Sequence, residues 1–180
     1  MRSLTDHLSS YADCHRDRRN IATHFVGIPV IVLAVATLLS RPVLTELGGF
    51  PVSPALFLMA GFCAFYLSRD ARYGVVMTAW MALNAWLGAM IAAQSTTVWL
   101  AAGLGMFVGG WIVQFVGHAF EGKKPAFVDD ISGFAVGPLF VMAELGFALG
   151  LRSEVLAEIE KRVGPTRAGK PTATAPAQTA

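Results

Sequence analysis

The sequence predicts an all-α fold, a polytopic membrane helical bundle of about four to five membrane segments with an amino-terminal amphipathic helix. Three observations predict it. Of 180 residues, 54% are hydrophobic and only 14% charged, with a mean hydropathy of +0.55; that is too apolar for a soluble domain of ordinary make-up. Apolar runs near the roughly 20 residues that cross a bilayer recur along the chain. Basic residues gather on alternate connections between those runs.

The elements follow in order. Ser3-Leu-Thr-Asp6 has the spacing of a capping box and starts a first helix. Leu4, Leu8, Tyr11 and His15 then recur at helical intervals, which puts His15 on the buried stripe and His7 at its margin. The run Arg16-Asp-Arg-Arg-Asn20 breaks the pattern. The break matters, because on one unbroken helix at about 100° per residue His15 and His24 would point in nearly opposite directions. Residues 21–39 form the first span, with His24 near one membrane face. Residues 41–54 hold three prolines and two adjacent glycines and read as a loop. Residues 55–67 make a shorter apolar run that needs its flanks or a thinned bilayer to cross. Residues 73–93 and 98–117 are stronger spans, separated by a polar turn at 94–97. Gly103, Gly105, Gly109 and Gly110 suit the second of these to close helix packing.

Residues 131–151 are apolar but contain Gly137-Pro138 and Glu144, so this segment is expected to be kinked and to line a protein cavity. Residues 152–163 read as an amphipathic surface helix with Val155, Leu156 and Ile159 on one side. The Ala-, Thr- and Pro-rich stretch 164–180 is expected to be a disordered tail, which leaves one membrane-embedded domain over 1–163. The chain shows no internal repeat. Its start lacks the basic-then-apolar order of a secretory signal. Cys14 and Cys63 are too few for a disulfide framework. A net charge of +2 without a basic, aromatic-laced stripe excludes a nucleic-acid partner.

Arg16, Arg18 and Arg19, then Arg69 and Arg72, then Lys123 and Lys124 fall on one set of connections, against Arg41 alone on the other. The amino terminus is therefore expected inside. If residues 131–151 cross fully, the basic tail would lie outside, so either that segment re-enters or the tail breaks the pattern. This topology brings His15, His24, His118 and Glu121 to one membrane face. His118 and Glu121 leave their helix on nearly the same side, at i and i+3. Three imidazoles and a carboxylate suit Fe(II), Zn(II) or another divalent metal. Singly, each histidine can equally be a hydrogen-bonded interfacial residue; convergence of three out of four in the chain favours a metal site. Glu144 either pairs with a basic residue or stays protonated, or else joins the site, and Lys123 and Lys124 either anchor the membrane face or bind a carboxylate.

Two blocks carry a family resemblance. The first is Tyr11, His15, Asn20, His24 and Pro29; the second is Trp111, Gln114-Phe115, Gly117-His118, Phe120-Glu121, Lys123-Lys-Pro-Ala126 and Asp129, with Pro138 and Glu144 beyond. From about Leu4 to Leu151 the chain resembles the membrane-bound 2-hydroxy fatty acid dioxygenases of fatty-acid α-oxidation. The resemblance implies an Fe(II)-dependent enzyme that uses dioxygen to shorten a long-chain 2-hydroxy fatty acid by one carbon, with His15, His24 and His118 as iron ligands. Asn20 and Gln114 would support the site, Lys124 or Lys123 would offset the substrate carboxylate, and Glu121 would take part in the chemistry. Membrane lipid is the expected surrounding, the bacterial inner membrane the expected location, and no oligomeric state follows. The competing expectation is a non-enzymatic membrane scaffold or lipid-binding protein whose histidines only tie helix ends together.

Overall fold

The computed structural model describes residues 3–128 and 130–169. Seven α-helices occur among them, and the only strands are two of three residues each. Helix α1 (Leu4–Ala12) begins with the expected capping box, Ser3 and Asp6 each bonding the other's backbone N–H. The chain then turns through 13–17, and Asp17 caps α2 (Arg18–Ser40) by accepting from the Arg19 N–H at 2.9 Å. A β-hairpin follows, β1 (Thr45–Leu47) paired with β2 (Phe50–Val52). The expected loop is thus partly ordered. Gly48 and Gly49 both have positive φ, the geometry that lets two residues join antiparallel strands.

Helices α3 (Pro54–Arg69) and α4 (Ala71–Ala92) meet at Asp70, whose carboxylate caps α4 by accepting from the N–H groups of Arg72 and Tyr73. Ser95 caps α5 (Thr96–Glu121), and Gly122 ends it in the left-handed conformation favoured just past a helix. By length and apolarity α2, α4 and α5 can each cross a membrane, while α3, at 16 residues, is shorter. The expectation of an all-α membrane bundle holds.

Helix α2 is the central element and packs chiefly against α5. Close approach is set by glycines at every seventh position of α5: a Cβ on Gly103 would strike Leu38, one on Gly110 would strike Ile31, and one on Gly117 would strike Thr23 and Asn20. This register is antiparallel, and side-chain volume on that stripe would force the helices apart. Gly105 and Gly109, also expected to serve packing, face open space. Gly88 of α4 meets the backbone of Ala36 and Thr37, so α4 runs parallel to α2. The Arg18, Asp70 and Glu121 helix ends therefore lie together.

A turn of 3-10 helix (Ala126–Val128) leads into α6 (Gly133–Ala148), and α7 (Ser153–Val163) follows at 114° to it. Gly150 and Arg152, both at positive φ, make that bend. By composition α6 and α7 together could count as a fourth span. Their contacts decide otherwise. Gly133 sits against Phe127, just beyond α5, while Arg152 at the other end of α6 pairs with Asp70 at 3.0 Å. Both ends of α6 thus belong to the same end of the bundle, which keeps the following basic residues on that side and removes the conflict in the charge pattern. Arg162 of α7 pairs with Asp6 of α1 at 2.8 Å, and Val155 and Ile159 are buried as the amphipathic pattern requires. Of the expected tail, residues 170–180 lie outside the described residues. Residues 164–169 are described, and Arg167 forms a parallel bridge beside Asp17.

Candidate metal centre

The turn between α1 and α2 makes the site. His15 lies three residues past α1 and His24 two turns into α2, and the break folds their rings onto each other with Nε2 atoms 2.9 Å apart. His118, in the last turn of α5, completes the group at centroid distances of 4.9 Å from His15 and 5.2 Å from His24. All three are buried, and one nitrogen from each lies within 4.8 Å of the others. No other group of three potential metal ligands occurs among the described residues. His7 stands apart, its ring edge-on to Phe65 at 5.6 Å.

The donor chemistry fits a cation. Nδ1 of His15 is 2.6 Å from the Tyr11 carbonyl, and Nδ1 of His24 is 2.9 Å from the Asn20 carbonyl, each one helical turn back. These bonds assign the ring protons to Nδ1 and leave both Nε2 atoms as bare acceptors facing each other. Such a pair is favourable only when a cation or a shared proton lies between. Nδ1 of His118 is buried without a hydrogen-bond partner. Rings held by backbone carbonyls through the far nitrogen are what orients metal-binding histidines. Burial, reinforced by the neighbouring His24, holds His15 well below the ordinary imidazole range, so it is neutral at pH 7 and able to donate its lone pair. Tyr11 stacks on His15 at 4.1 Å with its ring parallel, and Phe140 closes on the pair at 5.1 Å from Tyr11.

Glu121 lies beside the histidines but is fully engaged. Its Oε2 accepts from the Arg16 N–H at 3.0 Å, the Asp17 N–H at 2.7 Å and Asn20 Nδ2 at 3.2 Å. Its Oε1 accepts from Arg167 Nη2 at 2.6 Å. Asn20, buried completely, also donates to the Cys14 carbonyl, so it ties the turn to both α2 and α5. The side chain of Arg16, 2% exposed, reaches Glu144 at 3.6 Å and donates to the Gly164 carbonyl at 3.1 Å. Of the readings of Glu144, the structure shows the ion pair. Lys123 Nζ bonds the carbonyl and carboxylate of Asp13, and Lys124 is exposed on the same loop.

Gln114 lies one turn before His118, 4% exposed, and with His24 and His118 it lines a small half-open cavity of about 70 Å³ between α2, α5 and α6. The structure thus gathers His15, His24, His118, Asn20, Gln114 and Glu121, and leaves Lys124 exposed on the loop after α5. Sequence reasoning missed two contributors. Tyr11 was legible as part of the buried stripe but not as the ring that sandwiches His15. Arg167 gave no signal, because its stretch has the composition of a disordered segment.

A helical membrane bundle with a buried three-histidine centre at one end is the class that this fold and site define. A family model described as 2-hydroxy-palmitic acid dioxygenase Mpo1-like matches residues 1–149, and the chain belongs to the Mpo1-like family. It is 26% identical over 159 residues to a Saccharomyces cerevisiae protein named 2-hydroxy-palmitic acid dioxygenase MPO1, with 87% of each chain covered. No solved structure matches the chain significantly.

Proposed function

We propose that this protein is an Fe(II)-dependent dioxygenase that shortens long-chain 2-hydroxy fatty acids by one carbon at the inner membrane face. The observation that carries the reading is the cluster of three buried imidazoles, two of them oriented by backbone carbonyls, in a chain of the Mpo1-like family. The named activity of the yeast relative supplies the substrate class. The overall change, R–CH(OH)–COOH + O2 → R–COOH + CO2 + H2O, is balanced without any external reductant, since the two carbons supply all four electrons that dioxygen takes.

His15, His24 and His118 would hold the iron, which when bound supplies a Lewis-acidic, redox-active centre for the acid's hydroxyl and carboxylate and for dioxygen. The remaining residues work by placement. The Tyr11 and Asn20 carbonyls fix the ring tautomers and turn both Nε2 atoms inward. Tyr11 and Phe140 pack over His15 and exclude water from that side. Lys124 offsets the substrate carboxylate from the loop after α5, and Gln114 offers a carboxamide inside. Glu121, with each oxygen already accepting from a neighbour, acts as a positioning residue for the turn that carries His15. The amino terminus and the α3–α4 turn lie on the cytoplasmic side of a bacterial inner membrane by the charge pattern.

Elemental analysis of anaerobically purified protein tests the centre, and His15→Ala, His24→Ala and His118→Ala are each expected to lose the metal while His7→Ala keeps it. Equal metal content in all four variants would favour the scaffold reading instead. With iron and dioxygen, a 2-hydroxy acid should turn over at least about a hundredfold faster than the matching acid without the hydroxyl, the loss expected from misplacing a reacting group by about 1 Å.

A further inference from the structure

The cavity beside the histidines gathers ring nitrogens and a carboxamide together, and the Tyr11 hydroxyl is a further side-chain polar group on its lining. The gathered groups belong to His24, His118 and Gln114, whose Nε2 is buried with no hydrogen-bond partner. A carboxamide with an unused donor in an apolar wall is costly unless a ligand oxygen satisfies it. Away from these groups the lining is hydrocarbon and aromatic. Ile28, Ile31 and Val32 continue from His24 along α2, and Trp111 and Phe134 stand opposite on α5 and α6. From His24 to Val32 the wall runs about 12 Å at 1.5 Å per residue. Phe134, on this lining, is 46% exposed, so the cavity has an open side beside it on the apolar surface of the bundle.

A cluster of polar groups and an apolar trough with an open side fit one kind of guest, an amphiphile with a compact head and a hydrocarbon tail. We infer that this cavity is an acyl-binding groove, in which a 2-hydroxy acid sets its head between His24, His118 and Gln114 and its chain along Ile28, Ile31 and Val32. The assignment of the head rests on the dioxygenase reading, whereas the assignment of the trough rests on its lining. The aromatic pair Phe127 and Phe134, stacked at 4.7 Å, stiffens the outer wall, with Trp111 edge-on to Phe127 at 5.1 Å. Gly137 keeps the inner wall thin, for a Cβ there would come within 2.9 Å of the Tyr11 hydroxyl and 3.2 Å of Ile28. A substrate drawn from the bilayer enters tail and head together, so neither part has to cross water.

Photolabelling of the intact protein in lipid tests this directly. The probe is a sixteen-carbon 2-hydroxy acid with a diazirine near mid-chain, and labelled peptides are read by mass spectrometry. Label on residues 28–32 and 134, displaced by unlabelled 2-hydroxyhexadecanoate but not by phospholipid, is the expected result. Label that phospholipid displaces equally would mean a plain lipid-facing surface and overturn the groove, as would competed label confined to other helices. Val32→Trp should raise KM for the sixteen-carbon acid at least about tenfold, roughly the effect of displacing two buried methylenes, while metal content stays as in the parent. An unchanged chain-length profile in a folded Val32→Trp protein would also overturn the groove. Gln114→Met should erase the advantage of unlabelled 2-hydroxyhexadecanoate over hexadecanoate as a competitor for the label, and an advantage kept in full would contradict a head set against Gln114. Competed label in the groove of a protein that holds no metal and turns over no acid would leave the groove standing and sink the dioxygenase reading.

Discussion

A carboxylate ringed by four donors is a structural fixture before it is anything else, and Glu121 is that residue. Its partners come from the α1–α2 turn, from Asn20 and from Arg167, so removing it would orphan two buried backbone N–H groups and leave Arg167 without its anion. Breaking a buried charged pair of this kind costs about 3–5 kcal/mol. Glu121→Ala is therefore expected to lower the thermal midpoint in detergent markedly. Glu121→Gln keeps one acceptor oxygen and should lose less. Both variants should broaden the visible spectrum of a Co(II)-substituted centre, because the turn bearing His15 is no longer held; spectra identical to the parent would contradict a positioning role. The sequence showed Glu121 at i+3 from His118 and so suggested shared chemistry. What it could not show is that the nearest donors are backbone groups more than a hundred residues away.

Among the helices, the sequence was most legible where composition alone decides the outcome. The apolar runs marked α2, α4 and α5, the break at 16–20 marked the turn between the histidines, and the positions of Val155 and Ile159 marked α7. It was least legible where a partner decides. Four glycines in α5 looked alike, yet only Gly103 and Gly110 face α2, and the third contact falls at Gly117. That distinction predicts a clean contrast. Gly117→Val should separate α2 from α5 at the site and cost both stability and metal, whereas Gly109→Ala should be neutral or stabilising by up to about 1 kcal/mol, since alanine favours a helix over glycine. A thermal midpoint and metal content for each variant check this. Arg167→Ala belongs at the same scale, because residues 164–167 strap the turn through Arg16 and Arg18 backbone bonds as well as through Glu121. It should weaken Co(II) binding measurably while leaving helix content by circular dichroism unchanged.

For the whole molecule, the return of α6 to the end of the bundle it started from is the decisive feature. It places the basic groups at 16–19, 69–72, 123–124 and 161–167 on one side of the membrane. Single cysteines at Arg18, Arg69, Lys124 and Arg162 should thus all react with an impermeant maleimide from the same side, and Arg41→Cys from the other. Opposite labelling of Arg18→Cys and Lys124→Cys would divide the histidines between two faces and end the single-site account. The strap adds a constraint in time. His15 and His24 are made early and His118 midway, but the guanidinium that closes on Glu121 belongs to residue 167. On a ribosome that adds residues from the amino end, helices α2 and α5 can pair while the centre still lacks its clasp. On the proposed metal reading, an ion captured at that stage would sit in a cup whose clasp is not yet made, a state that Arg167→Ala reproduces in the finished chain.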